Sequence, residues 1–321
     1  MCKKKLFIIG NGFDCYGHNM PTQYIDFKDF LLRKYPDSAM DFDGFLEVIQ
    51  MPDGGEEYDM DEVVSSIVKT IDECSAPEWR NLEECLGTNF IENIVYENEW
   101  AYKETDIEDD DYIFHSVYEN EDLSRSIVDA YGKIAELFAE WVFEDLANID
   151  YARIKRFKRR PLFENGLFLN FNYTATLEEV YKIRSGNICH IHGYCLDDNS
   201  KIYFGHGDDD EFEGFIQYMG IEDAYNGLKR DLRKNTQQAI SDNLDFFKKL
   251  GKVKRIYSYG FSFSDVDMIY LKEICENVNP KKITWYFNKF DWDNNRDYVE
   301  KVAALGFKVK RSKLWKDANG K

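Results

Sequence analysis

No stretch of this chain approaches the ~18 consecutive apolar residues of a membrane-spanning helix, so no membrane span is expected. Lys3-Lys4-Lys5 resembles the start of a signal peptide. The run behind it, Leu6–Ile9, reaches only four residues before Gly10, too short for an apolar signal segment. The seven cysteines (2, 15, 74, 85, 189, 195 and 275) contain no Cys-x-x-Cys pair. An odd number at such spacing points away from a disulfide framework and from a cysteine-built zinc site. Reduced, buried thiols in a cytoplasmic protein are the expectation. There is no Gly-x-Ser-x-Gly elbow, which leaves a serine–histidine hydrolase unsupported. Internal repeats are missing as well. Lys and Arg are absent between Glu104 and Asp122, a stretch with nine acidic residues that reads as a solvated acidic segment.

What is present suits a packed α/β protein. The 321 residues are 44% hydrophobic and 16% aromatic, enough for one large domain or two smaller ones. With 60 acidic against 41 basic residues, the net charge of −19 disfavours nucleic acid and anionic membrane as partners. One basic island stands against that background. Arg153–Arg160 has six basic residues in eight, and neutralisation of the acidic helices is its simplest role.

Short apolar runs predict strands at Lys5–Ile9, Leu167–Leu169, Ile188–Ile191, Lys201–Phe204, Arg255–Tyr259, Ile283–Phe287 and Lys308–Lys310. Helical spacing follows most of them: after Pro21, after Thr174 or Thr176 (either a cap for Leu177–Ile183), over Ile221–Leu250, over Val266–Cys275 behind Ser264, and over Asn295–Leu305. That alternation predicts an α/β fold, a Rossmann-like, doubly wound and mainly parallel sheet. From 37 to 150 the pattern turns helical, with segments at Asp43–Ile49, Asp61–Cys74, Trp79–Leu86 and Leu123–Leu146. The chain thus divides into a core of residues 1–36 and 151–321 and an acidic helical insertion or lid of residues 37–150.

Loops at predicted strand ends carry the chemistry. Gly10-Asn11-Gly12 lets backbone N–H groups approach a phosphate, although the third glycine of the dinucleotide fingerprint is missing. Asn172-Tyr173-Thr174 and Gly260–Asp265 end two more strands, and His192 and His206 lie near the ends of others. In open sheets that edge holds ligands. A histidine there can act as a general base, and an asparagine can hold a ribose hydroxyl or a water. His190 and His192 alternate along one strand, so one of the two is structural. No carboxylate or cysteine completes a convincing ligand set with His190 and His206, and no metal is expected.

The blocks IIGNGFD (8–14), TQYIDF (22–27), FNYTATLE (171–178), HIHG (190–193), IYFGHG (202–207) and YGFSFSDVDM (259–268), together with WRNLEECLG (79–87), resemble the bacteriophage abortive-infection AbiH family. That family is in turn similar to sirtuin-like NAD-binding domains. The resemblance implies an antiphage effector with NAD as substrate or ligand, Asn172 and His192 being the catalytic pair. Gly10, Asn11, Gly12, Phe13 and Asp14, with Thr174, Gly260, Ser262 and Asp265, become the cofactor-binding candidates. NAD glycohydrolysis to nicotinamide and ADP-ribose is the implied activity. Sensing of NAD or ADP-ribose without turnover is one alternative, and a nucleic-acid-directed defence role through Arg153–Arg160 is another. Thr174 stands where sirtuins have an aspartate and Phe171 where deacetylases have a glutamine, and four zinc cysteines are absent, so protein deacetylation is not implied. A homo-oligomer or a neighbouring defence protein is the expected partner.

Overall fold

The computed structural model describes residues 4–40, 46, 48–52, 56–105, 110–157 and 163–312. Six strands form one parallel sheet: β1 (Lys5–Ile9), β2 (Gly166–Asn170), β3 (Ile188–His190), β4 (Arg255–Tyr259), β5 (Thr284–Phe287) and β6 (Lys308–Arg311). Their order across the sheet is β3-β2-β1-β4-β5-β6. The chain therefore leaves β1 towards one edge, then returns to the other side of β1 and proceeds to the opposite edge. β1 and β2 pair in register from Lys5 with Gly166 to Ile9 with Asn170, and β1 and β4 from Lys5 with Arg255 to Ile9 with Tyr259.

Alternation within these strands supplies both faces of a covered sheet. Leu6, Ile8, Leu167, Leu169, Ile256 and Trp285 join one buried cluster. Phe7, Ile9, Phe168, Tyr257 and Tyr259 join another, in which the Phe7 ring stacks on Phe168 and Tyr257 at 4.9 and 5.3 Å. Such continuous apolar runs are what a doubly covered parallel strand requires.

The chain divides into two compact units. The first, which contains the whole sheet, comprises Met1–Gln23, Trp141–Tyr203 and Asn235–Lys321. The second comprises Tyr24–Glu140 and Phe204–Lys234, and is mostly helical. Its helix Met60–Cys74 begins at Asp59, whose carboxylate accepts from the N–H groups of Asp61 and Glu62, and buries Val63, Val64, Ile67 and Ile71 at helical spacing.

Several local expectations change. Lys201–Phe204 is not a strand: one N–H, that of Tyr203, reaches His192 O at 2.8 Å, and no ladder forms beyond it. β3 stops at His190, and Tyr203 bonds to the chain beyond that end. Leu123–Leu146 is not one helix but the end of Asp110–Gly132, then Ile134–Trp141 and a π-turn. In the acidic stretch Glu104 and Thr105 are irregular, as expected, 106–109 lie outside the described residues, and from Asp110 the chain is helical rather than a loop. Of the predicted helix Asp43–Ile49, residues 41–45 and 47 lie outside the described chain, and Val48–Gln50 pairs as a short antiparallel strand with Glu56–Tyr58. Cys74 and Cys85 form a disulfide, against the expectation of free thiols throughout. Cys15, Cys189, Cys195 and Cys275 are free. Among the described residues no helix is long and apolar enough to cross a membrane.

Candidate functional site

The sheet changes direction between β1 and β4, and ligands of open parallel sheets collect outside the carboxyl ends of the strands at such a point. Here the loops leaving β1 and β4 close onto each other. Gly10 N–H donates to Tyr259 O and Gly12 N–H to Gly260 O, both at 3.0 Å. A Cβ on Gly10 would stand 2.5 Å from Gly260 O, so the seam admits no side chain there. The N–H groups of Phe13 and Asp14 donate to Gly10 O and Asn11 O. The Asn11 side chain is held at both ends by Thr22, donating to its carbonyl and accepting from its hydroxyl at 2.6 Å. Four of the N–H groups offered by the predicted phosphate loop are thus engaged within the protein.

Beyond that loop lies Asp14, fully buried. Asn172, past the end of β2, donates Nδ2 to Asp14 Oδ2 at 2.8 Å, and the Thr174 hydroxyl donates to the same oxygen. Thr174 and Thr176 therefore do not cap a helix; their hydroxyls lie 3.1 Å apart, and the following turn, Thr176–Val180, has no side-chain cap. Because Asp14 Oδ2 accepts, the Asn172 amide turns Nδ2 inwards and presents Oδ1 as an acceptor. Burial pushes the Asp14 carboxyl up, against the opposing pull of Thr174, His18, Thr176 and Asn172. Asp14 Oδ1 and Asn172 Oδ1 are buried and have no hydrogen-bond partner.

His192 belongs to a second constellation. Its ring packs against Phe171 at 5.1 Å, Tyr270 at 5.6 Å and Tyr173 at 6.3 Å. Its Nε2 stands 3.3 Å from Asp267 Oδ1, close but out of line for a hydrogen bond. Ser264 turns its hydroxyl to Asp267 Oδ2 at 3.1 Å rather than to a helix N–H. Asn172 faces Asp14, while its neighbours Phe171 and Tyr173 face His192. The two residues paired by sequence thus lie in separate polar groups. His190 is the structural member of its pair, donating Nε2–H to Glu178 Oε1 at 2.8 Å. Ser262 is exposed, and Asp265 takes a surface ion pair from Lys301 at 2.8 Å.

His206 lies in the helical unit, not at a strand end. Its Nε2 donates to Lys229 O at 2.8 Å and its Nδ1 accepts from Asp208 N–H at 3.1 Å. Both nitrogens are occupied, and burial lowers its pKa, which leaves no position for a metal or a proton. In the same unit Glu83 pairs with the buried Lys234 at 2.6 Å.

Asn288 and Asp291, after β5, escape sequence reasoning. Asn288 caps the helix Lys289–Asn294 by accepting from Asp291 N–H at 2.9 Å, and its amide donates to the Asp291 carboxylate. That carboxylate also accepts from Gly260 N–H, which ties β5 to the seam. The Asn-x-x-Asp spacing behind an apolar strand was the available signal. Burial raises Asp291 to about 6. The folded state therefore holds the extra proton between about pH 4 and 6, and stability falls as pH rises through that window. Asp291→Asn is expected to abolish this fall, because the amide does not titrate. Urea titrations at pH 4, 5, 6 and 7 measure it; parallel wild-type and variant profiles would remove the assignment.

A sequence model of the family described as bacteriophage abortive infection AbiH matches residues 6–289. No curated protein matches the chain.

Proposed function

Because the chain belongs to the bacteriophage abortive infection AbiH family, and with it to antiphage defence, we propose that it is an effector whose strand-edge site takes NAD and hydrolyses it to nicotinamide and ADP-ribose. The observation that carries this reading is the pair of buried oxygens, Asp14 Oδ1 and Asn172 Oδ1, left without donors. An unmet buried acceptor costs about 1–3 kcal/mol, so a pair of them calls for a ligand rich in donors. The two hydroxyls of a ribose meet that description. The strand order, counted within the sheet as 3-2-1-4-5-6, is also that of Rossmann-like dinucleotide-binding folds.

In the proposed reaction the bond between nicotinamide and the ribose C1′ breaks, and its electron pair leaves with the nicotinamide. The ribose passes through an oxocarbenium-like state that water captures, releasing one proton. Asn172 Oδ1, oriented by Asp14, accepts from a ribose hydroxyl or the attacking water. His192, beside Asp267, takes the proton. The separation of Asn172 from His192 favours a second reading, binding of NAD or ADP-ribose without turnover.

Chromatography of purified protein incubated with NAD distinguishes these. Nicotinamide release by the wild type, reduced about 100-fold or more in His192→Ala, is the expected result. ADP-ribose binding without release selects the sensing role. Protein that neither binds nor cleaves NAD sinks both.

A further inference from the structure

Asn170, the last residue of β2, is a buried amide in a strand whose preceding positions, Leu167, Phe168 and Leu169, are apolar. An apolar side chain would be buried there at lower cost. The amide closes instead on the backbone of residue 172. Its Oδ1 accepts from Asn172 N–H at 3.3 Å, and its Nδ2 donates to Asn172 O at 3.2 Å. The second Nδ2 hydrogen goes to His190 Nδ1 at 3.3 Å. His190 Nδ1 and Asn172 O also lie 3.3 Å apart, two acceptors brought together because one NH2 group donates to both.

This clasp depends on which nitrogen of His190 carries the hydrogen. Glu178 Oε1, 2.8 Å from Nε2, draws the hydrogen to Nε2 and leaves Nδ1 as an acceptor. With the hydrogen on Nδ1 the ring would donate to Asn172 O and compete with the Asn170 amide for it. The Tyr194 ring packs on His190 with centroids 4.2 Å apart. The backbone beneath is fixed by the sheet, where Asn170 pairs with Ile9 of β1 and His190 of β3, and its carbonyl accepts from Ile191 N–H at 3.0 Å.

We propose that Asn170 is a positioning residue: its amide, held in one orientation by His190 and Glu178, fixes the backbone of residue 172 and with it the place from which the Asn172 carboxamide acts. Asp14 sets how that carboxamide is turned, and Asn170 sets where it stands. The effect on rate rests on the hydrolysis reading, whereas the clasp itself does not. A shift of about 1 Å in a positioned group can cost about 100-fold in rate.

Two measurements on the full chain test this. In nicotinamide release, Asn170→Ala is expected to lower kcat by about 10–100-fold with KM within about twofold of the wild type. Glu178→Leu removes the acceptor but keeps similar bulk, and is expected to lower kcat by about fivefold or more. Glu178→Gln, whose Oε1 still accepts from Nε2–H, is expected to restore it. Amide exchange at residue 172, followed by NMR without NAD, is expected to quicken about fivefold or more in Asn170→Ala and Glu178→Leu but not in Glu178→Gln. An Asn170→Ala protein with wild-type kcat, or changed in KM alone, overturns the proposal. So does a Glu178→Gln protein as impaired as Glu178→Leu, or exchange that is the same in all four proteins. A wild type that releases no nicotinamide removes the hydrolysis reading, and the exchange pattern then decides the clasp by itself.

Discussion

Gly260→Ala is expected to lower the stability of the protein by about 3 kcal/mol or more. Gly260 has φ of +65°, a region where a Cβ meets its own backbone, and the added carbon would stand 2.3 Å from Phe13 N and 2.4 Å from Gly12 C. Those neighbours are main-chain atoms held by hydrogen bonds across the seam, so no side chain can swing aside. Either the loops after β1 and β4 part, or residue 260 takes a different φ and its N–H leaves Asp291. Gly186→Ala is the control, since nothing lies within 4 Å of the Cβ it would gain. Thermal melts of both, expected to differ by roughly 5 °C or more, report the effect. A Gly260→Ala protein that melts with the control would show that the seam is loose.

Asn172→Asp is expected to have the second large effect, and one that depends on pH. The substitution would set a second carboxylate 2.8 Å from Asp14 Oδ2, in a site where both residues are buried. Two full charges at that distance repel by about 6 kcal/mol at an effective dielectric constant of about 20. The pair avoids this by keeping one shared proton, as carboxylate dyads do. The folded variant then holds a proton that the unfolded chain releases above about pH 4. Its stability falls as pH rises from about 4 to 8, more steeply than that of Asn172→Ala, in which only the raised carboxyl of Asp14 titrates. Urea midpoints of the two variants between pH 5 and 8 separate these behaviours. Parallel midpoints would mean that residue 172 does not face Asp14.

Much of the sheet was legible because its strands are short, apolar and bounded by polar turns. Leu6–Ile9 and Ile256–Tyr259 are buried on both faces, as such runs require. Lys201–Phe204 has the same local signature, but whether an extended segment acquires a neighbour is decided by distant residues, and here Tyr203 bonds to the chain beyond the end of β3. The Cys74–Cys85 bond was invisible for a similar reason, since proximity of two helices is not a property of their spacing in sequence. At the site, the strand-end position of Asn172 was legible and its partner was not. Asp14 sits four residues past Gly10 and reads as part of a loop. Only the fold shows that its carboxylate orients an amide 158 positions away. Asn288 and Asp291 carry only a helix-cap signal in sequence, which does not connect them to the strand edge.

The placement of β1 at the middle of the sheet has a consequence for biosynthesis. This strand leaves the ribosome ahead of its partners, Gly166–Asn170 and Arg255–Tyr259. A nascent chain must carry Leu6–Ile9 unpaired through roughly 160 further residues before one edge is covered, and roughly 250 before the other is, a high contact order that slows folding. The helical unit closes only when Phe204–Lys234 has been made. A translational arrest before Arg255 is made would therefore release a polypeptide with one edge of this strand open and prone to aggregation.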